Sequence, residues 1–220
     1  MIPSSPSASR LLCPLIMKCL LALTLMGHSQ DRPFISEIVT IGNDSYRDED
    51  EDTPDWLEIY NPTDAAVDLA GYHLTDDVAD LVKWTFPSFQ LPAGGSLVVF
   101  ASDKDRALSG SEFHTNFKLS GSGEYLALIE PNGLTIASAF APEFPAQAPG
   151  FSYGVEGPDP EGNRGYFDPP TPGMANGTLL SAPLIAPLIS PACATFASNV
   201  EVTIAPAFVG GQVRYTTNGS

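Results

Sequence analysis

The chain has 220 residues, room for one large β-domain or two small ones. Its 26 acids outnumber 10 bases for a formal net charge of −16, which disfavours nucleic-acid binding, because phosphate backbones are held largely by Lys and Arg. The 19 glycines and 21 prolines exclude a helical bundle, and 43% hydrophobic residues exclude a disordered polyanion.

In chain order, residues 1–29 read as a signal peptide. They contain no acid, two cations (Arg10, Lys18) and an apolar run from Cys19 to Met26, followed by the small residues of Gly27-His28-Ser29 that suit signal peptidase. The run is far short of the roughly 20 residues that span a bilayer, so no membrane span is expected. Met17-Lys18 would also make a compact start, which leaves the true start, Met1 or Met17, open. Cleavage would remove Cys13 and Cys19 and leave Cys193 alone, so no disulfide is expected within the mature chain.

Alternation of apolar and polar residues predicts strands over Phe34–Ile41, Trp56–Tyr60, Leu69–Leu74, Lys83–Phe86, Ser96–Ala101, Glu124–Glu130 and Leu134–Phe140. Turn chemistry separates them: Asn61-Pro62, Ala93-Gly94-Gly95, Ser120–Gly123 and Pro131-Asn132-Gly133. Such short strands at this turn density predict an all-β fold, a β-sandwich. Asp103–Leu108 has mild helical character, one turn at most. Residues 178–192 read as a Pro/Ala/Leu linker, with Pro183, Pro187 and Pro191 four apart. Two further strands are predicted over Asn199–Ile204 and Gln212–Thr217, too few to bury a core.

WLEIYN (56–61), VDLAGYHL (67–74), WTFP (84–87), LPAGGSLVVFASDKD (91–105) and FKLSGSGEYLALIEPNG (117–133) resemble, in order and spacing, the lamin tail domain. The resemblance covers about residues 34–177 and implies an immunoglobulin-like β-sandwich of the secreted bacterial type. Residues 193–220, ending in RYTTNGS, are similar to the start of a chitobiase/β-hexosaminidase C-terminal-like domain, an incomplete second β-module. The pairing of these modules implies a longer protein with a further domain downstream.

Thirteen of the 26 acids lie between Asp44 and Asp80. Asp48, Asp50 and Asp52 have the i, i+2, i+4 spacing that opens a calcium loop, and are the candidate metal ligands. The loop pattern then departs: Thr53-Pro54 stands where the sixth-position Gly belongs, and no Glu follows at the twelfth. A solvated acidic loop that guards a sheet edge explains the same residues. Calcium is the one cofactor considered; otherwise none is expected.

No nucleophile-elbow, zinc-protease, C-x-x-C or phosphate-loop motif occurs, and no catalytic residue is expected. His73 and His114 are read as structural, although His114 with Ser111 or Ser120 is the one imaginable nucleophile pair. The expected function is a non-catalytic extracellular module, in the cell envelope or secreted, that positions or attaches a larger protein through a protein or glycan partner. The alternative is a carbohydrate-binding accessory domain of a secreted hydrolase, with Tyr46, Trp56, Tyr166 and Phe167 stacking on sugar rings. An exposed coplanar row of three aromatics would favour it.

Overall fold

Short alternating segments between Gly, Pro and Asn turns can bury one face each, and two sheets facing one another satisfy them all. The computed structural model describes residues 32–41, 46–183, 187–191, 201–206 and 212–213. The expected signal peptide, Cys193 and most of the expected second module lie outside these residues. The described strands are β1 (Phe34–Val39), β2 (Asp55–Tyr60), β3 (Val67–Asp68), β4 (His73–Thr75), β5 (Trp84–Thr85), β6 (Gln90–Leu91), β7 (Ser96–Ala101), β8 (Phe113–His114), β9 (Leu126–Ile129), β10 (Ile136–Phe140), β11 (Ser152–Val155), β12 (Arg164–Phe167), β13 (Leu188–Ser190) and β14 (Thr203–Ala205). No helix occurs among the described residues.

One sheet has six strands in the order β12-β11-β1-β2-β7-β8, and the other has four in the order β10-β9-β4-β5. All pairings in them are antiparallel except β7 with β8. Between the sheets lies the core: Leu57 and Ile59 of β2, Val99 of β7, Leu74 of β4, Trp84 of β5, and Leu126 and Leu128 of β9. This is the all-β sandwich that the sequence predicts. The central strand β1 is buried along its whole length, so the outer face of the six-stranded sheet is covered as well.

Two expectations need correction. The strand expected over Leu69–Leu74 is broken by a turn in which Tyr72 N–H donates to Leu69 O at 3.0 Å and Gly71 takes φ = 77°; only His73–Thr75 pairs in the sheet. Asp103–Leu108 forms no helical turn, since Asp103 and Asp105 sit at φ of 65° and 51° and Arg106 pairs with His114. Of the residues expected as linker, Leu188–Ser190 (β13) pair with β14, and Leu180 bridges to Tyr166 at the edge of β12. The strands β11 and β12 escape the alternation because Gly154 and Gly165 face each other across them. A Cβ on Gly154 would lie 2.1 Å from Ser36 O, and one on Gly165 would lie 2.7 Å from Leu180 O. Close backbone approach demands glycine there.

Asn61 shows how the turns are fixed. Fully buried, it donates through Nδ2 to Ala65 O, Leu91 O and Pro92 O at 2.9–3.0 Å, and its Oδ1 accepts from the Thr63 amide and hydroxyl. One side chain thereby ties the turn after β2 to the turn before β7. Asn61→Ala removes one donor from each of these carbonyls, leaving Pro92 O with the Gly95 amide and Ala65 O with the Thr63 hydroxyl, and is expected to cost about 1–3 kcal/mol, read as a lowered denaturation midpoint at unchanged m-value. An unchanged midpoint would contradict this role.

Candidate functional site

The outer face of the six-stranded sheet carries the polar groups that the core excludes. Glu37 of β1 and Glu58 of β2 are register partners and point to this face, both buried. A β-bulge between Ile35 and Glu37 turns Ser36 to the same side, where its hydroxyl donates to Glu58 Oε1 at 2.6 Å. Like charges directly opposite on adjacent strands repel. Burial pushes both carboxyls above the usual carboxylate range, and for Glu37 the neighbouring Glu58 adds to the rise. The donors are neutral: Ser152 Oγ, Thr171 N and Thr171 Oγ for Glu37, and Ser36 Oγ and Gly173 N, at 2.6 Å, for Glu58.

Those donors bind the segment 168–177 across the sheet. Asn176 Nδ2 completes the attachment by donating to Ser36 O at 3.0 Å and Val155 O at 2.7 Å. Beside Glu58 the segment leaves a half-enclosed cavity of about 390 Å³, walled by Ser36, Tyr60, Gly95, Pro158 and Met174 among others.

At the other end of this face lies the acidic loop. Asp48 Oδ1 accepts the amides of Asp50 and Asp52 at 3.0 and 2.9 Å, closing a turn rather than the extended loop that acid repulsion alone would favour. The carboxylates of Asp48, Asp50 and Asp52 do converge, within 4.8 Å of one another. Lys104 Nζ contacts all three, at 2.5, 2.7 and 2.8 Å. Arg106 adds contacts to Glu49 and Asp50. Hydrogen bonds from Lys104 and Arg106 hold the Asp50 carboxyl down at about 2. For Asp48, burial opposes ionisation, but hydrogen bonds from Lys104 and two backbone amides outweigh it and lower the carboxyl. Burial also acts against charge on Lys104, and the three carboxylates reverse it and raise the ammonium. The candidate metal ligands therefore surround a cation of their own chain.

Tyr46 stacks on Phe100 at 5.7 Å and 23°, and tilts against Trp56 at 5.9 Å. Trp56, Tyr166 and Phe167 are 2%, 8% and 0% exposed. These four aromatics form no open sugar-stacking row: they pack against the sheet. His114 is wholly buried, and its hydrogen-bond partner is Ser102 Oγ, 2.9 Å from Nδ1, in place of Ser111 or Ser120. Burial and then the Lys104 charge lower its pKa, and its Nε2 has no partner among the described residues. A catalytic base needs an orienting group on its second nitrogen, which this pair does not have. His73 Nδ1 lies 2.8 Å from Thr85 Oγ1, a cross-strand contact within the four-stranded sheet. In the sequence Glu58 is one more acid of the acidic stretch and Glu37 belongs to no motif; the one signal for the pair is an acid inside each of two apolar strands, FISEIV and WLEIY.

The fold is that of an all-β, immunoglobulin-like sandwich. A family model, Lamin Tail Domain, matches residues 27–141, and the chain belongs to that family. No curated protein and no solved structure matches it. The match spans β1 to β10, so β11, β12 and the segment that covers Glu37 and Glu58 lie outside it. Among the described residues no helix is long and apolar enough to cross a membrane.

Lys104→Met is expected to lower the melting temperature, and millimolar calcium is expected to raise that of the variant more than that of the wild type, measured against magnesium at equal ionic strength. Equal shifts in both proteins would show that the three aspartates do not form a cation-holding centre. Asp55, at the start of β2, has its carboxyl pushed up to about 7 by burial. Its neutral form is favoured in the folded chain, so its contribution is present below about pH 4 and is lost as pH rises through 7. Asp55→Asn keeps an acceptor for the Leu119 amide and is expected to raise the melting temperature at pH 8 but not at pH 4. A rise of equal size at both would contradict the assignment.

Proposed function

We propose that the chain is a non-catalytic extracellular module that positions or attaches a larger secreted or surface protein. One observation carries this reading: the buried titratable groups of the sandwich are engaged in holding its own loops. Glu37 and Glu58 accept from Thr171 and Gly173, and His114 pairs with Ser102. None is paired as nucleophile and oriented base. What remains is a rigid platform whose loops, edges and outer-face cavity are available for contacts. The signal-like segment 1–29 supports export, and the resemblance of residues 193–220 to a chitobiase-type module supports a place in a longer protein. A protein partner is favoured over a glycan, because the aromatics that would stack on sugar are packed away.

In the native host, the full chain is expected in the cell-envelope fraction with an N-terminus close to Gln30 by intact mass. A variant deleted for residues 34–177 is expected in the medium. Equal distribution of the two proteins would overturn the attachment role, and retention of Met1 or Met17 would overturn export.

A further inference from the structure

The cavity beside Glu58 has a composition that selects an occupant. We propose that it is a socket for a basic side chain, arginine or lysine, presented by a partner protein; this rests on the reading of the chain as an interaction module. Its volume of about 390 Å³ lies in the range of small-ligand pockets and accommodates one long side chain. Tyr60, Pro158 and Met174 give apolar wall for an aliphatic stem, and Tyr60 gives an aromatic ring for the charged head. Glu58 lies in the wall, 1% exposed, with the second carboxyl of Glu37 opposite it on β1.

Charge accounting supports an occupant from outside. Among the described ion pairs, Arg32, Lys83, Lys104 and Arg106 all serve other acids, and none reaches Glu37 or Glu58. Neutral donors hold the buried pair, and an entering ammonium or guanidinium would pair with the ionised form of Glu58. The net charge of −16 draws a basic partner toward the surface before contact. Other occupants fit less well. Calcium takes six to eight oxygens, several of them carboxylate, whereas Glu58 is the one acid in the wall. A sugar needs stacking faces, and Tyr60 is the one aromatic residue in the wall.

The test is an NMR titration of the isotope-labelled full chain with Nα-acetyl-arginine methylamide. The lysine and norleucine counterparts, methyl β-glucoside and calcium chloride serve as comparison probes. The arginine and lysine probes are expected to shift the amides of Gly94, Gly95, Gly157 and Gly173 saturably. The uncharged norleucine probe is expected to bind at least about tenfold more weakly. Glu58→Gln is expected to reduce the affinity of the arginine probe by at least about tenfold. Ala175→Trp fills the mouth from an exposed position without touching the acid pair, and is expected to abolish the shifts. If Glu58→Gln does not fold, Ala175→Trp decides alone. Arginine binding no better than norleucine, preference for glucoside or calcium, or shifts that survive Ala175→Trp would overturn the socket. Such a failure leaves envelope retention of the full chain intact, whereas failure of the module reading appears as equal distribution of the full chain and the 34–177 deletion.

Discussion

Two carboxyls meet across the middle of the larger sheet, and much of the outer architecture follows from how they are satisfied. Glu37 and Glu58 are register partners on the two innermost strands, β1 and β2, and both are buried. Strands so placed must be covered on both faces. The inner cover is the four-stranded sheet and is apolar; the outer cover is a segment without regular structure that carries its own backbone donors to the acids. Hydrogen bonds from Thr171, Gly173 and Ser152 offset part of what burial costs the carboxyls, and in doing so they pin 168–177 in place. The cavity beside Glu58 is the space that this cover leaves between Gly173 and the turn at Gly94-Gly95.

The acidic loop solves the same problem in the opposite way. Its carboxylates are partly solvated, and Lys104 and Arg106, more than 50 residues further along the chain, supply the cations that close it. The loop is thus fastened to the chain that follows β7, and Tyr46 at its start lies on Trp56 and Phe100. Two acid groups on one sheet face therefore differ in kind: one is neutralised within the chain, the other is held by neutral donors.

Where side chains alternate on a strand with one apolar face, the sequence is readable: β2 and β7 fall within a residue of their expected limits, and Leu57 and Ile59 take the core side. Legibility fails where backbone contacts decide. The glycines of β11 and β12 are there for close approach to Ser36 and Leu180, which no local pattern encodes. At Gly71 a turn interrupts residues of good strand propensity because Asp68 caps it, Oδ1 accepting the Ala70 amide at 3.0 Å. The aspartate spacing did identify three carboxylates that converge, but the lysine at their centre is a long-range contact and left no mark near them. The carboxyl pair is hidden for the same reason: one acid in each of two strands acquires meaning only when register places them opposite one another, and Ser152, Thr171 and Gly173, which donate to them along with Ser36, lie beyond the family match.

The outer cover stays in place because those two carboxyls hold it. Amide hydrogen exchange resolves this residue by residue. The Thr171 and Gly173 amides are predicted to be protected to a degree comparable with the β1 and β2 amides in the wild type, and to lose that protection selectively when Glu37 and Glu58 are replaced by Ala, with the sheet amides unchanged. Exchange of Thr171 and Gly173 at free-peptide rates in the wild type, or protection that persists without the carboxyls, would contradict it.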